Sequence, residues 1–179
     1  MAVEQVARWP WNAWPDESGL GGRMAWNPHS ASESDSVIAG GAGNDVIVLG
    51  SHAHSNDTVV IDAANNGIDT IIGFEAGAGG GADVIQLAKG AIGVYETMTI
   101  TNGKVAAISG DLSVPGSTAN VVNGVFYGVI YDTVNDTAML YQGNAGADGI
   151  ANAGDSVQLV GVLTGIADGA LAVGNFAFA

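Results

Sequence analysis

The chain has 179 residues, of which 47% are hydrophobic and only 12% are charged. Eighteen acidic residues against four basic ones give a formal net charge of −14, which excludes a surface that attracts the nucleic-acid backbone. The absence of cysteine excludes disulfides and thiolate metal sites, and no stretch approaches the roughly 20 apolar residues of a membrane-spanning helix.

Residues 1–33 are predicted to form an irregular arm. All four tryptophans and three of the four prolines lie here, and proline interrupts both helices and sheets. Clustered tryptophans are typical of binding surfaces, so the predicted partner-binding residues are Trp9, Trp11, Trp14 and Trp26. The alternative is that the arm folds back and caps the repeats that follow it. The start of the chain lacks the basic and apolar regions of a secretory signal peptide.

Residues 34–92 contain a repeated pattern of an aspartate, a spacer and an aliphatic residue. The five copies begin ten to fourteen residues apart, at Asp35, Asp45, Asp57, Asp69 and Asp83. Each copy predicts a short strand that turns an aliphatic side chain into a thin core. The prediction is a parallel β-roll, a β-solenoid whose turns alternate between two sheets. Asp35, Asp57 and Asp83 would then lie on one side, and Asp45 and Asp69 on the other.

One complete nonapeptide of the type G-G-x-G-x-D-x-U-x, where U is a large aliphatic residue, spans residues 40–48. Its glycines permit positive φ angles and tight turns, and its aspartate supplies a hard anionic oxygen. Calcium takes six to eight oxygen ligands, so neighbouring turns have to share each ion. The predicted calcium-binding residues are Gly40, Gly41, Gly43, Asp45, Asp57, Asn65, Gly67, Asp69, Gly79, Gly81, Asp83 and Asp148. The alternative is that these residues only form turns, which glycine and aspartate favour without any metal.

Residues 93–179 are predicted to be rich in antiparallel strands. Asn102-Gly103 between two alternating segments is a strong hairpin signal. Residues 137–141 and 156–163 are two further predicted strands. Between them, residues 143–151 match the nonapeptide with one change, which makes Asp148 a candidate ligand.

Residues 34–179 resemble the RTX proteins, the glycine-rich calcium-binding proteins of bacterial type I secretion. The resemblance rests on the nonapeptide at 40–48, on residues 67–87, and on a C-terminal region that ends in Asn175-Phe176. Asn175 stands where these proteins usually have aspartate. The resemblance implies secretion without an N-terminal signal and folding outside the cell, where calcium is abundant.

The sequence contains neither an H-E-x-x-H nor a G-x-S-x-G motif, so we predict that the chain is not an enzyme. The favoured function is a secreted, calcium-binding structural protein that self-assembles in a surface layer, filament or biofilm matrix. It would form a homo-oligomer or homopolymer by stacking its β-rolls and docking its aromatic arm. One alternative is an adhesin or carbohydrate-binding module that recognises a cell-surface glycan. The other is a C-terminal module of a larger secreted RTX enzyme.

Overall fold

The predicted all-β class is confirmed. A computed structural model describes residues 28–30, 35–50, 56–61, 67–88, 90–112, 117–118 and 124–178. Its regular elements are twelve strands and two short 3₁₀ helices, η1 and η2: β1 Pro28–Ser30, β2 Val37–Ala39, β3 Val46–Val48, β4 Thr58–Ile61, β5 Asp69–Ile72, β6 Val84–Leu87, β7 Val94–Thr101, β8 Lys104–Asp111, β9 Val125–Asp132, β10 Thr137–Asn144, η1 Gly146–Asp148, β11 Ser156–Thr164, η2 Val173–Asn175 and β12 Phe176–Phe178.

The first six strands alternate between two sheets. β1, β3 and β5 lie in a large sheet, and β2, β4 and β6 lie in a four-stranded sheet, with every pairing among them parallel. The aliphatic residue two positions after Asp45, Asp69 or Asp83 points inward, and all three of these isoleucines are fully buried: Ile47, Ile71 and Ile85. The D-x-aliphatic pattern therefore works locally as predicted.

The first copy of the repeat differs from the prediction by one residue. Val37 pairs with Thr58, so Ser36 and not Asp35 lies opposite Asp57. The inward residue of β2 is Ile38, which follows Asp35 by three positions instead of two. Asp35 lies opposite Asn56 and accepts the Asn56 backbone N–H through Oδ1 at 3.0 Å.

The C-terminal strands form a ring that closes on itself. The large sheet continues from β5 through β11, β10, β9 and β7 to β8, and β8 returns to β11 at the Ser156–Lys104 pair. The predicted hairpin at Asn102-Gly103 joins β7 to β8, and both turn residues have positive φ angles. β10 and β11 contain the two strands predicted near residues 137 and 156.

The six short strands β1 to β6, which we call the ladder, share one hydrophobic core with the ring. β11 pairs in parallel with β5, and β12 pairs in parallel with β6, so the C-terminal part of the chain extends both sheets of the ladder. One buried cluster consequently runs from Ile38 to Phe176. A second, smaller cluster around Phe126 contains Met98 and Val105 from the ring strands. Among the described residues, no helix is long and apolar enough to cross a membrane.

Candidate metal site

The aspartates that precede the short strands tie each turn to the next. The Asp45 backbone N–H donates to Asp69 Oδ1 at 3.0 Å, and the Asp57 N–H donates to Asp83 Oδ1 at 2.9 Å. The Ser36 N–H donates to Asp57 Oδ1 at 2.9 Å in the same way. Each carboxylate thus satisfies a backbone donor of the preceding turn in its own sheet. One carboxylate oxygen of Asp57, Asp69 and Asp83 therefore holds neighbouring turns together, with or without a metal.

The second carboxylate oxygens of Asp45 and Asp57 are in a different situation. These side chains are only 3% and 1% exposed, and their Oδ2 atoms are buried without a hydrogen-bond partner among the described residues. A buried carboxylate with an unsatisfied oxygen is costly unless a positive charge or a donor compensates it. Along the described chain, these two atoms are therefore the strongest structural argument for a cation.

The glycines before Asp45 leave space for its carboxylate. A Cβ on Gly40 would lie 2.8 Å from Asp45 Oδ2, so a larger residue here would force the Asp45 side chain to shift. Gly41 and Gly43 have φ angles of +93° and +111°, which side-chain-bearing residues rarely adopt. The nonapeptide thus folds as a turn that holds the unpartnered oxygen against its own backbone.

The turn around Gly67 stacks directly on the turn around Gly43. A Cβ on Gly67 would collide with the Gly43 carbonyl oxygen, and the φ angle of Gly67 is +71°. Beside this contact, the Ile68 N–H donates to Asn44 Oδ1 at 2.8 Å. Two of the predicted turns are therefore in backbone contact, as sharing an ion between turns requires.

In the four-stranded sheet, Asp83 has a partner for each of its carboxylate oxygens. Asp83 Oδ2 accepts the Glu75 N–H at 2.8 Å. The pKa of Asp83 is raised above its ordinary value, and burial is the largest cause. The hydrogen bonds from the Glu75 and Asp57 N–H groups oppose this rise, and the neighbouring Asp57 and Glu75 carboxylates add to it. The segment before Asp83 forms an open pocket of about 140 Å³. It is lined by Glu75, Ala76, Gly79, Gly80, Gly81 and Ala82.

The structure identifies one further residue in this region, Asn175, which sequence reasoning noted only as a departure from the family pattern. Asn175 is fully buried, and its Oδ1 accepts the N–H groups of Gly77 and Ala172, both at 2.9 Å. Its Nδ2 donates to the Asp83 carbonyl oxygen at 2.8 Å. An aspartate could not make this last bond, so the amide suits the position. Asn175 thereby links η2 and β12 to the last glycine-rich turn.

Replacing Asn175 with alanine is expected to lower the free energy of unfolding by about 3 kcal/mol, because two backbone donors and one acceptor lose their partner. Asn175→Asp should be at least as destabilising at neutral pH, since it sets a buried carboxylate oxygen against the Asp83 carbonyl oxygen. Urea unfolding measures both. The control is Asn135→Ala in an exposed turn, where a change within about 0.5 kcal/mol is expected. Equal effects at the two positions would contradict the role assigned to Asn175.

Asp148 lies outside the short parallel strands β1 to β6. It ends η1 in the loop between β10 and β11, and it is exposed. Its Oδ1 accepts the Ile150 N–H at 3.0 Å and its Oδ2 accepts Asn152 Nδ2 at 2.7 Å, and these bonds lower its pKa. Residues 143–151 connect two antiparallel strands, unlike the glycine-rich turns that precede the short parallel strands.

The remaining predicted residues have mixed placements. Asn65 and the four tryptophans of the arm lie outside the described residues. Gly79 and Gly81 line the open pocket near Asp83, and Asp69 is fully buried.

The candidate ligands are buried carboxylate oxygens and the carbonyl oxygens of glycine-rich turns, which are the ligands that a hard cation prefers. No three side chains among the described histidine, aspartate and glutamate residues lie close enough together to hold a metal ion by themselves. A bound ion would have to take most of its ligands from turn carbonyls and one or two from carboxylates. Calcium accepts such a mixed oxygen shell, whereas magnesium requires a stricter octahedral one. The chain matches no model of a protein family, no curated protein and no solved structure.

Proposed function

We propose that the chain is a secreted, calcium-stabilised structural protein of the RTX type, in which residues 34–92 form a β-roll. The observation that carries the proposal is the pair of buried Oδ2 atoms of Asp45 and Asp57, which have no hydrogen-bond partner among the described residues. The alternation of short parallel strands between two sheets supports it, because this arrangement brings successive glycine-rich turns into register.

In this proposal Asp57 uses its two carboxylate oxygens for different purposes. Its Oδ1 accepts the Ser36 backbone N–H and fixes the carboxylate in place. At Asp45 and Asp57, Oδ2 remains available as a ligand. Calcium, when bound, supplies the positive charge that a chain with a net charge of −14 lacks. The glycines allow the turn carbonyls to approach the same position.

The proposed role is structural. Extracellular calcium would stabilise the folded chain after export, and the folded units would assemble with copies of themselves. The tryptophan-rich arm is proposed as a second contact in that assembly.

The test is the melting temperature of the wild-type chain in millimolar calcium and in chelator. At a calcium concentration ten times the dissociation constant, each site adds about 1.4 kcal/mol of stability, which corresponds to roughly 3–6 °C in a chain of this size. We expect calcium to raise the melting temperature and magnesium at the same concentration to raise it less. Identical melts in calcium and chelator would reject the proposal.

A further inference from the structure

We propose that copies of this chain associate head to tail through the four-stranded sheet, with the outer edge of β12 in one copy pairing in parallel with the outer edge of β2 in the next. Among the described residues, these two strands are the outermost ones of that sheet. The inference deepens the self-assembly in the proposed function and rests on it. The partner is a second copy of this chain, and the contact surfaces are two different edges.

The strand order of the sheet makes its two edges complementary. The order is β12-β6-β4-β2, and all three pairings are parallel. A β2 strand from another copy, placed beside β12 in the same direction, would therefore extend the sheet with unchanged polarity. Such a contact joins different surfaces on the two copies, so it does not close on itself and leads to open chains.

The large sheet cannot extend in the same way on the C-terminal side. Its strands after β5 continue into the ring, and β8 returns to β11. Among the described residues, this leaves β12 as the outermost strand at that end of the four-stranded sheet. A simple end-to-end stack that continues both sheets is therefore excluded, and the contact is restricted to the smaller sheet.

The hydrogen bonds show which backbone groups the edges offer. The Thr58 N–H donates to the Ser36 carbonyl oxygen, so the N–H groups of Val37 and Ala39 point away from β4. The Val84 N–H donates to Asp57, so Ile85 directs its own backbone groups toward β12. Because Phe176 pairs with Ile85, the alternation directs the backbone groups of Phe176 and Phe178 to the outer side of β12. The Phe176 N–H already donates to the Val173 carbonyl oxygen of η2, so Phe178 supplies the outward N–H of this edge.

Neither edge strand carries a charge or a proline, two features by which proteins prevent such pairing. β2 is Val-Ile-Ala and β12 is Phe-Ala-Phe. Val37 is 74% exposed, whereas its neighbours in the same outward row, Thr58 and Val84, are partly covered. A strand added beside β2 would cover Val37 as β4 and β6 cover each other. With three residues on each edge, a single contact is weak, and association should depend strongly on protein concentration.

Proline substitutions can block each edge separately. Val37→Pro removes an outward N–H of β2 and keeps the bond to β4, and Val37→Ala is its control. Phe178→Pro removes an outward N–H of β12, and Phe178→Ala loses the same ring contact with Tyr127 but keeps the N–H. If Val37→Pro does not fold, Val37→Lys places a charge on the same edge.

The experiment is sedimentation velocity in calcium at physiological salt over a wide range of concentrations. We expect the wild type and both alanine controls to form species larger than a monomer, and each proline variant alone to remain monomeric. An equimolar mixture of the two proline variants should form a dimer with one chain of each and nothing larger, because one intact β12 edge then meets one intact β2 edge.

A monomeric wild type, a proline variant that assembles as well as its control, or a mixture that stays monomeric would overturn the inference. The first of these results also covers the case in which another part of the same chain occupies the β2 edge. The calcium-dependent rise in melting temperature is measured on the same samples. If that rise is present while the chain is monomeric, the inference fails and calcium binding stands.

Discussion

Gly67→Ala is expected to lower the free energy of unfolding by about 4 kcal/mol. Two costs combine. A non-glycine residue at a φ angle of +71° costs about 1–2 kcal/mol. The added methyl group also collides with the Gly43 carbonyl oxygen, and relieving such a clash costs about 1–3 kcal/mol. Urea unfolding of the variant and the wild type measures the difference.

Gly103 provides a matched control for this substitution. Its φ angle is also +71°, but a Cβ there would meet no atom within 4 Å. Gly103→Ala should therefore show only the conformational cost of about 1–2 kcal/mol. If both variants lose the same amount of stability, the two turns do not stack as the structure describes, and sharing of an ion between them loses its basis.

Asp45→Asn is expected to remove most of the calcium-dependent stabilisation that arises at the nonapeptide, about 1.4 kcal/mol at ten times the dissociation constant. The amide still offers one oxygen to its surroundings, but it lacks the second anionic oxygen and the charge that calcium requires. The informative quantity is the difference between melts in calcium and in chelator, because it cancels any effect of the substitution on the metal-free fold.

Asp148→Asn is the control for Asp45→Asn. Asp148 carries the same group in a similar glycine-rich segment, but both its oxygens are engaged within its own exposed loop. This variant should keep the whole calcium increment of the wild type. An increment that survives in Asp45→Asn and disappears in Asp148→Asn would move the proposed site to the loop between β10 and β11.

The local parts of the fold could be predicted from the sequence, because they depend on short-range patterns. The D-x-aliphatic pattern places Ile47, Ile71 and Ile85 in the core, and Asn102-Gly103 marks a real hairpin. The sequence pattern places the first repeat one residue out of register, because Asp35 and Ser36 both suit a turn. Only the pairing of Val37 with Thr58 decides between them.

The long-range parts could not be predicted in this way. β11 joins β5 and β12 joins β6 across about ninety residues, and no local pattern specifies such partners. The same holds for Asn175, since two of its three hydrogen bonds reach back to Gly77 and Asp83. At the candidate site, the spacing places aspartates directly before the short strands. The unpartnered Oδ2 atoms of Asp45 and Asp57 depend on how the turns stack, which the spacing does not specify.

The most direct test of the central claim is the melting temperature of the wild-type chain at fixed protein concentration, first in excess chelator and then with increasing calcium. Calcium bound only to the folded state has to raise the melting temperature continuously as its concentration rises. We predict such a rise, with a smaller one in magnesium. A melting temperature that is the same in chelator and at every calcium concentration would contradict the account.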